Sequence, residues 1–116
     1  FYRVMKVQLI RRKDCLLVRL KGELDHHSSI GFKEAVEREL QRDEIRNLVL
    51  NFEHLTFMDS SGLSVILGRY KQIKARRGKL VICSPGEHLK KILQIGGLLK
   101  IIPIYSSEDE ALSTLS

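Results

Sequence analysis

The sequence predicts an α/β fold in a single domain spanning residues 1–116, with a mixed sheet of about five strands, the first antiparallel and the rest parallel, and about four helices. Three observations predict it. From Leu16 onward, short apolar runs of strand type alternate with segments whose apolar residues recur at helical spacing. That is the pattern of βαβ units, whose crossovers are right-handed. Ahead of Leu16, the loosely alternating residues Val4 to Ile10 are joined to the next run by Arg11-Arg12-Lys13-Asp14, which reads as a hairpin with a basic, solvated turn. Finally, 116 residues suit one domain with a real core and leave no room for a separate catalytic domain beside it.

In chain order, Leu16-Leu17-Val18-Arg19-Leu20 is the second strand, and Gly22-Glu23-Leu24-Asp25-His26-His27-Ser28-Ser29 leads from it into a helix with Phe32, Ala35, Val36 and Leu40 on one face. Asp25, Ser28 and Ser29 are its candidate caps. Asp43-Glu44-Ile45-Arg46-Asn47 makes a polar connection into the strand Leu48-Val49-Leu50-Asn51-Phe52. A second helix carries Leu63, Ile66, Leu67, Tyr70 and Ile73 inward and ends in Lys74-Ala75-Arg76-Arg77-Gly78, where the dipole favours cations and the glycine suits a left-handed cap. Leu80-Val81-Ile82-Cys83 is a continuous apolar strand, and Ser84-Pro85-Gly86-Glu87 reads as a capping box before a helix with Leu89, Ile92 and Leu93. Gly96-Gly97 stops that helix, Ile101-Ile102-Pro103-Ile104 forms a last short strand, and Ser107-Glu108-Asp109-Glu110 opens a terminal helix with Ala111, Leu112 and Leu115 inward.

Composition narrows the function classes. No apolar run approaches the roughly 20 residues that cross a bilayer, and the N-terminus lacks the features of a signal peptide, so the reading is a soluble, cytoplasmic protein without a membrane partner. Phe1 is not an initiator, so the first residue or residues are taken as removed or not included. Cys15 and Cys83 sit within apolar strand-like runs, which fits two buried thiols in a reducing compartment, and neither has metal-ligand spacing. The excess of 20 basic over 14 acidic residues gives a net charge of +6, which attracts any acidic partner. Its clusters have local explanations in a solvated turn and a helix end, so direct nucleic-acid binding is not predicted. Adjacent His26 and His27 diverge and lack further ligands, so neither a metal nor another cofactor is predicted.

The chemistry gathers in Phe57-Met58-Asp59-Ser60-Ser61-Gly62-Leu63, where an apolar strand runs in and an amphipathic helix runs out. Asp59, Ser60 and Ser61 therefore stand at a helix N-terminus, where unpaired N–H groups and the macrodipole favour such side chains. They read either as caps or as a serine presented to another protein, with Gly62 leaving the backbone uncovered. The loop around Asp25 follows the C-terminal end of a strand and should neighbour Ser60.

Residues 57–63, followed by Val65-Ile66-Leu67-Gly68-Arg69-Tyr70-Lys71, resemble the phosphorylation segment of the anti-anti-sigma factors of the STAS family. Gly22-Glu23-Leu24-Asp25-His26-His27 is similar to that family's first strand-to-helix loop, and Gly97-Leu98-Leu99-Lys100-Ile101-Ile102 to its approach to the last strand. Three segments in the right order and spacing span nearly the whole chain. The resemblance implies a partner switch on a STAS-like domain. In that switch, as the resemblance implies it, the unphosphorylated protein binds an anti-sigma factor that is also an ATP-dependent serine kinase and frees a sporulation sigma factor. The resemblance further implies that phosphorylation on Ser60 inactivates it and that a serine phosphatase reverses the change. The same resemblance assigns partner contact to Glu23, Asp25, His26, His27, Asp59, Ser60, Ser61, Gly62 and Ser64. Ser64 stands where the family motif often has another glycine, adding a hydroxyl near the presented face.

The chain has no P-loop spacing, no Cys/His nucleophile arrangement and no carboxylate cluster for metal-assisted transfer, which favours a binding module over an enzyme. Two alternatives use the same strand-helix edge: a small phosphoryl-carrier enzyme in which Ser60 or Asp59 is transiently loaded, and a nucleotide or small-ligand sensor.

Overall fold

The computed structural model describes residues 5–115. Its elements are β1 (Lys6–Arg12), β2 (Cys15–Leu24), α1 (His26–Leu40), β3 (Asn47–Met58), α2 (Ser60–Ala75), β4 (Leu80–Cys83), α3 (Glu87–Ile95), a single 3-10 turn (Leu98–Lys100), β5 (Ile104–Tyr105) and α4 (Glu108–Ser113). The five strands lie side by side in the order β1-β2-β3-β4-β5, with β1 antiparallel to β2 and every other pair parallel. The mixed five-strand sheet with four helices is the predicted architecture. Among the described residues no helix is long and apolar enough to cross a membrane.

Strand order dictates where the helices go. Each right-handed crossover steps to the next strand in the same direction, which puts α1, α2 and α3 on one face of the sheet. Phe32, Val36 and Leu40 of α1, Ile66 and Ile73 of α2, and Leu89 and Leu93 of α3 are buried there against Leu16, Val18, Leu48, Leu50, Phe52 and Ile82. On the opposite face Cys15, Leu17, Val49, Val81 and Cys83 are covered by Ala111, with Leu112 and Leu115 partly buried beside it. Both thiols are free, and burial pushes each up to about 11. Short α4 is pinned to that face by Glu108, whose carboxylate accepts from Arg19 Nε (2.7 Å) and Nη2 (2.9 Å) and from Asn51 Nδ2 (2.5 Å).

Several boundaries differ from the sequence reading, each for a local reason. The first strand begins at Lys6 and runs on to Arg12, because the hairpin turn is only Lys13 and Asp14, with Lys13 at φ 56; Val4 lies outside the described residues. β2 continues through Glu23 and Leu24, so the supposed loop from Gly22 is strand up to the cap. β3 likewise runs to Met58, well past Phe52. Here the register shifts twice, Arg19 pairing with Asn51 but Lys21 with His54, and Gly22 with Leu55 but Glu23 with Phe57. Each shift is an extra residue in β3, a bulge that breaks the two-residue alternation by which a strand is read.

Gly78 does not supply the left-handed turn after α2; Arg77 does, at φ 62. Glycine is required at 78 for another reason, since a Cβ there would lie 1.7 Å from the Arg46 carbonyl oxygen. Arg76 does more than answer the dipole: its guanidinium donates to the carbonyls of Ile45 (3.0 Å) and Leu40, fastening the connection between α1 and β3. The Ser84 capping box is absent. Ser84 sits at φ 60 with its hydroxyl donated to the Ser106 carbonyl, and Gly86 caps α3 with no side chain. The last strand is only Ile104–Tyr105, because residues 98–100 tighten into the 3-10 turn.

Candidate functional site: two joined helix N-termini

The two bulges bring the ends of β2 and β3 level, with Leu24 paired to Met58 and the Asp59 amide donating to the Leu24 carbonyl at 3.3 Å. Each strand is followed at once by an aspartate in extended conformation that caps a helix. Asp25 Oδ1 accepts the amides of His27 (3.0 Å) and Ser28 (2.9 Å), while Ser28 Oγ accepts the Asp25 amide at 2.9 Å, a reciprocal capping box. The Ser28 amide, with smaller help from its hydroxyl and His27, holds the Asp25 carboxyl below its usual range. Asp59 serves both helices. Its Oδ1 accepts from Gly62 in α2 (3.1 Å) and its Oδ2 from His26 at the start of α1 (3.2 Å). The Asp25 loop and the Ser60 segment are thus one surface.

On that surface Ser60 is the first residue of α2 and is exposed, and its hydroxyl has no hydrogen-bond partner among the described residues. Ser61 is half-buried, with Oγ 3.5 Å from His26 Nδ1. Ser64 is exposed one turn on, and Glu23 stands half-buried near the end of β2. His26 and His27 are exposed, and their rings meet edge to face at 5.8 Å, closer than the predicted divergence. No group of acidic, histidine or cysteine side chains among the described residues has the geometry of a metal site.

Gly62 requires a correction. It is buried and does not leave backbone open to a partner; a Cβ there would lie 2.5 Å from the Leu24 carbonyl oxygen and 2.6 Å from Met58 Cγ. Its bareness seats α2 on the strand ends and so fixes where Ser60 emerges.

A groove of about 460 Å³ leads from Ser60 between α1 and α2, with Lys33 and Arg69 among its lining residues. Sequence reasoning passed over Arg69, because an arginine on a helix reads as solvated. The helical spacing Ile66, Arg69, Ile73 was the available signal, for it puts the arginine on the buried stripe.

The family model of the STAS domain matches residues 6–111. The chain is 40% identical over 111 residues to the anti-sigma F factor antagonist of Paenibacillus polymyxa, covering 96% of this chain and 95% of that protein. It is 31% identical to the anti-sigma F factor antagonist of Lysinibacillus sphaericus over 74% of each chain. Among solved structures, the anti-sigma factor antagonist SpoIIAA in its unphosphorylated form matches at 29% identity and a TM-score of 0.74, over 94% of this chain and 96% of that one. The Bacillus cell fate determinant SpoIIAA in its phosphorylated form matches at 29% identity and 0.77, over 96% and 100%. A family match along almost the whole described chain, a relative at 40% identity and the shared architecture agree, and the protein belongs to the STAS domain family, alongside its anti-sigma factor antagonists.

Proposed function

We propose that the chain acts as one regulatory domain, an anti-sigma factor antagonist switched by phosphorylation on Ser60. Unphosphorylated, it binds an anti-sigma factor that is also an ATP-dependent serine kinase and so releases a sporulation sigma factor in the cytoplasm. In the kinase complex the Ser60 hydroxyl oxygen attacks the γ-phosphorus of ATP, ADP leaves, and the serine proton passes to a base of the kinase. A serine phosphatase later hydrolyses the ester. The domain itself is substrate and ligand, not enzyme, and its partners are proteins rather than nucleic acid or membrane. The partner-facing surface comprises Glu23, Asp25, His26, His27, Asp59, Ser60, Ser61 and Ser64, with Gly62 beneath it.

One observation carries this reading: an exposed, unpartnered Ser60 hydroxyl on the first residue of α2, next to a carboxylate whose two oxygens are already taken by backbone amides. Asp59 is therefore a fastening for the site rather than a free base or phosphoryl acceptor. Sheet order supports a protein ligand over a small one. The helices that follow β2, β3 and β4 all lie on one face, so the parallel strands beside Ser60 do not have their helices parting to opposite faces, and the crevice in which open sheets usually hold nucleotides does not form there.

The test uses the anti-sigma F factor of Paenibacillus polymyxa as kinase. With ATP and magnesium, phosphate should appear only when that kinase is present and should map to Ser60 by mass spectrometry. Ser60→Ala should bind the kinase and never be released. Phosphate gained by the pure chain would restore the phosphoryl-carrier reading, and phosphate on Ser61 or Ser64 would sink the assignment.

A further inference from the structure

Arg69 is 7% exposed. Its Nη2 pairs with Glu37 of α1 at 3.1 Å, while Nε and Nη1 are buried without a hydrogen-bond partner among the described residues. Folding has thus left part of a guanidinium desolvated and unanswered, which ordinarily destabilises a protein. Three residues on, Gln72 Oε1 is also buried without a hydrogen-bond partner among the described residues.

The groove that Arg69 lines also carries Lys33, His26, Ser60, Ser61 and Ser64, and no carboxylate among its described lining residues. The two carboxylates at its mouth, Asp25 and Asp59, are turned onto backbone amides. Glycine adds a second, independent observation. Gly68, on the groove wall, and Gly31, on α1, are helix-interior glycines where an added Cβ would meet nothing within 4 Å. Among the described residues nothing calls for glycine at either position, which suits a surface approached closely from outside.

We propose that the groove between α1 and α2 receives an acidic side chain of the anti-sigma factor, whose carboxylate takes the unpaired donors of Arg69 while Lys33 closes over it. This rests on the antagonist reading. The donors are covered in the free domain, so docking requires the guanidinium to turn about its side-chain axis, keeping Glu37 as pivot. The same arrangement deepens the switch. A phosphate on Ser60 places an anion at the groove's mouth, where it repels the incoming carboxylate and competes for the same cations.

The discriminating variant is Arg69→Met, which keeps volume and removes charge. The substitution removes a buried, half-paired ion, and the Glu37 carboxylate it releases is 39% exposed and can be hydrated, so no buried charge is left without a partner. The melting temperature should therefore hold or rise, while the Kd for the anti-sigma F factor of Paenibacillus polymyxa rises at least tenfold and loses much of its salt dependence. A variant that melts earlier and binds as well as wild type would make Arg69 a fold residue and overturn the proposal. A second pair guards against a misfolded variant: Gly68→Glu and Gly68→Lys both extend into open space. The acidic substitution should weaken binding at least tenfold more than the basic one, and equal losses would overturn the role of charge. Wild-type protein that fails to bind this factor at all would overturn the antagonist reading, and this proposal with it.

Discussion

At the residue scale, the two capping aspartates look alike but spend their oxygens differently. Asp25 collects both of its amides on Oδ1, whereas Asp59 uses Oδ1 for α2 and Oδ2 for α1. An asparagine retains one acceptor and gains one donor. Asp25→Asn keeps its cap and should lose less stability than Asp59→Asn, which turns an NH2 group toward the His26 amide and should cost about 1–2 kcal/mol. Urea unfolding of the two variants checks this, and equal losses would mean that the bridge from Asp59 to α1 contributes nothing. The capping role of Asp25 and Asp59 was legible in the sequence, since Asp before a helical stripe is a cap by composition alone. That Asp59 caps two helices was not legible, because it depends on the bulges that bring β2 and β3 to a common end. The stripe Ile66, Arg69, Ile73 signals that Arg69 is buried, but its ion-pair partner was not legible, because Glu37 lies 32 positions earlier in the chain and one helix away.

At the element scale, α4 is six residues long, too short to persist on helical propensity, so it holds its place through Ala111 and the Glu108 clamp. The bond from Arg19, aided by Asn51, holds the Glu108 carboxyl below the usual glutamate range. A carboxyl whose pKa is lower folded than unfolded adds stability above its unfolded value, near 4.3, and that stability is lost as pH falls through the folded value. Glu108→Gln should therefore be less stable than wild type by about 1 kcal/mol at neutral pH, the modest figure due to a partly exposed pair. In urea unfolding at a series of pH values the gap should close on acidification below the ordinary glutamate range, and a gap independent of pH would show that the amide fails for reasons of shape. Elements with a clean period were visible from sequence, as with Phe32, Val36 and Leu40 or Leu80 to Cys83. Those whose conformation is set by partners were not: β5 has only two residues, and Ser84 turns left-handed where it meets Ser106.

At the scale of the whole molecule, phosphorylation should change a surface and leave the fold alone. A phosphate carries about −1.5 to −2 charges near neutral pH, and at the start of a 16-residue helix it meets the favourable end of the dipole. The Ser60 and Ser61 amides have no hydrogen-bond partner among the described residues and are available to it. Backbone amide spectra of the two forms should differ around residues 25–28 and 59–64 and agree elsewhere, whereas exchange protection lost across the sheet would mean that the switch rearranges the domain. The sheet order has a consequence of its own for how the chain is made. Because strands stand in the order in which they are synthesised, each one leaves the ribosome with its sheet neighbour already in place, and no strand waits for a later one to fill a gap. The sheet lengthens one crossover at a time, with helices arriving on a single side. Only the far side waits, and Cys15, Leu17, Val49, Val81 and Cys83 stay wet until the last residues of the domain emerge and α4 closes over them.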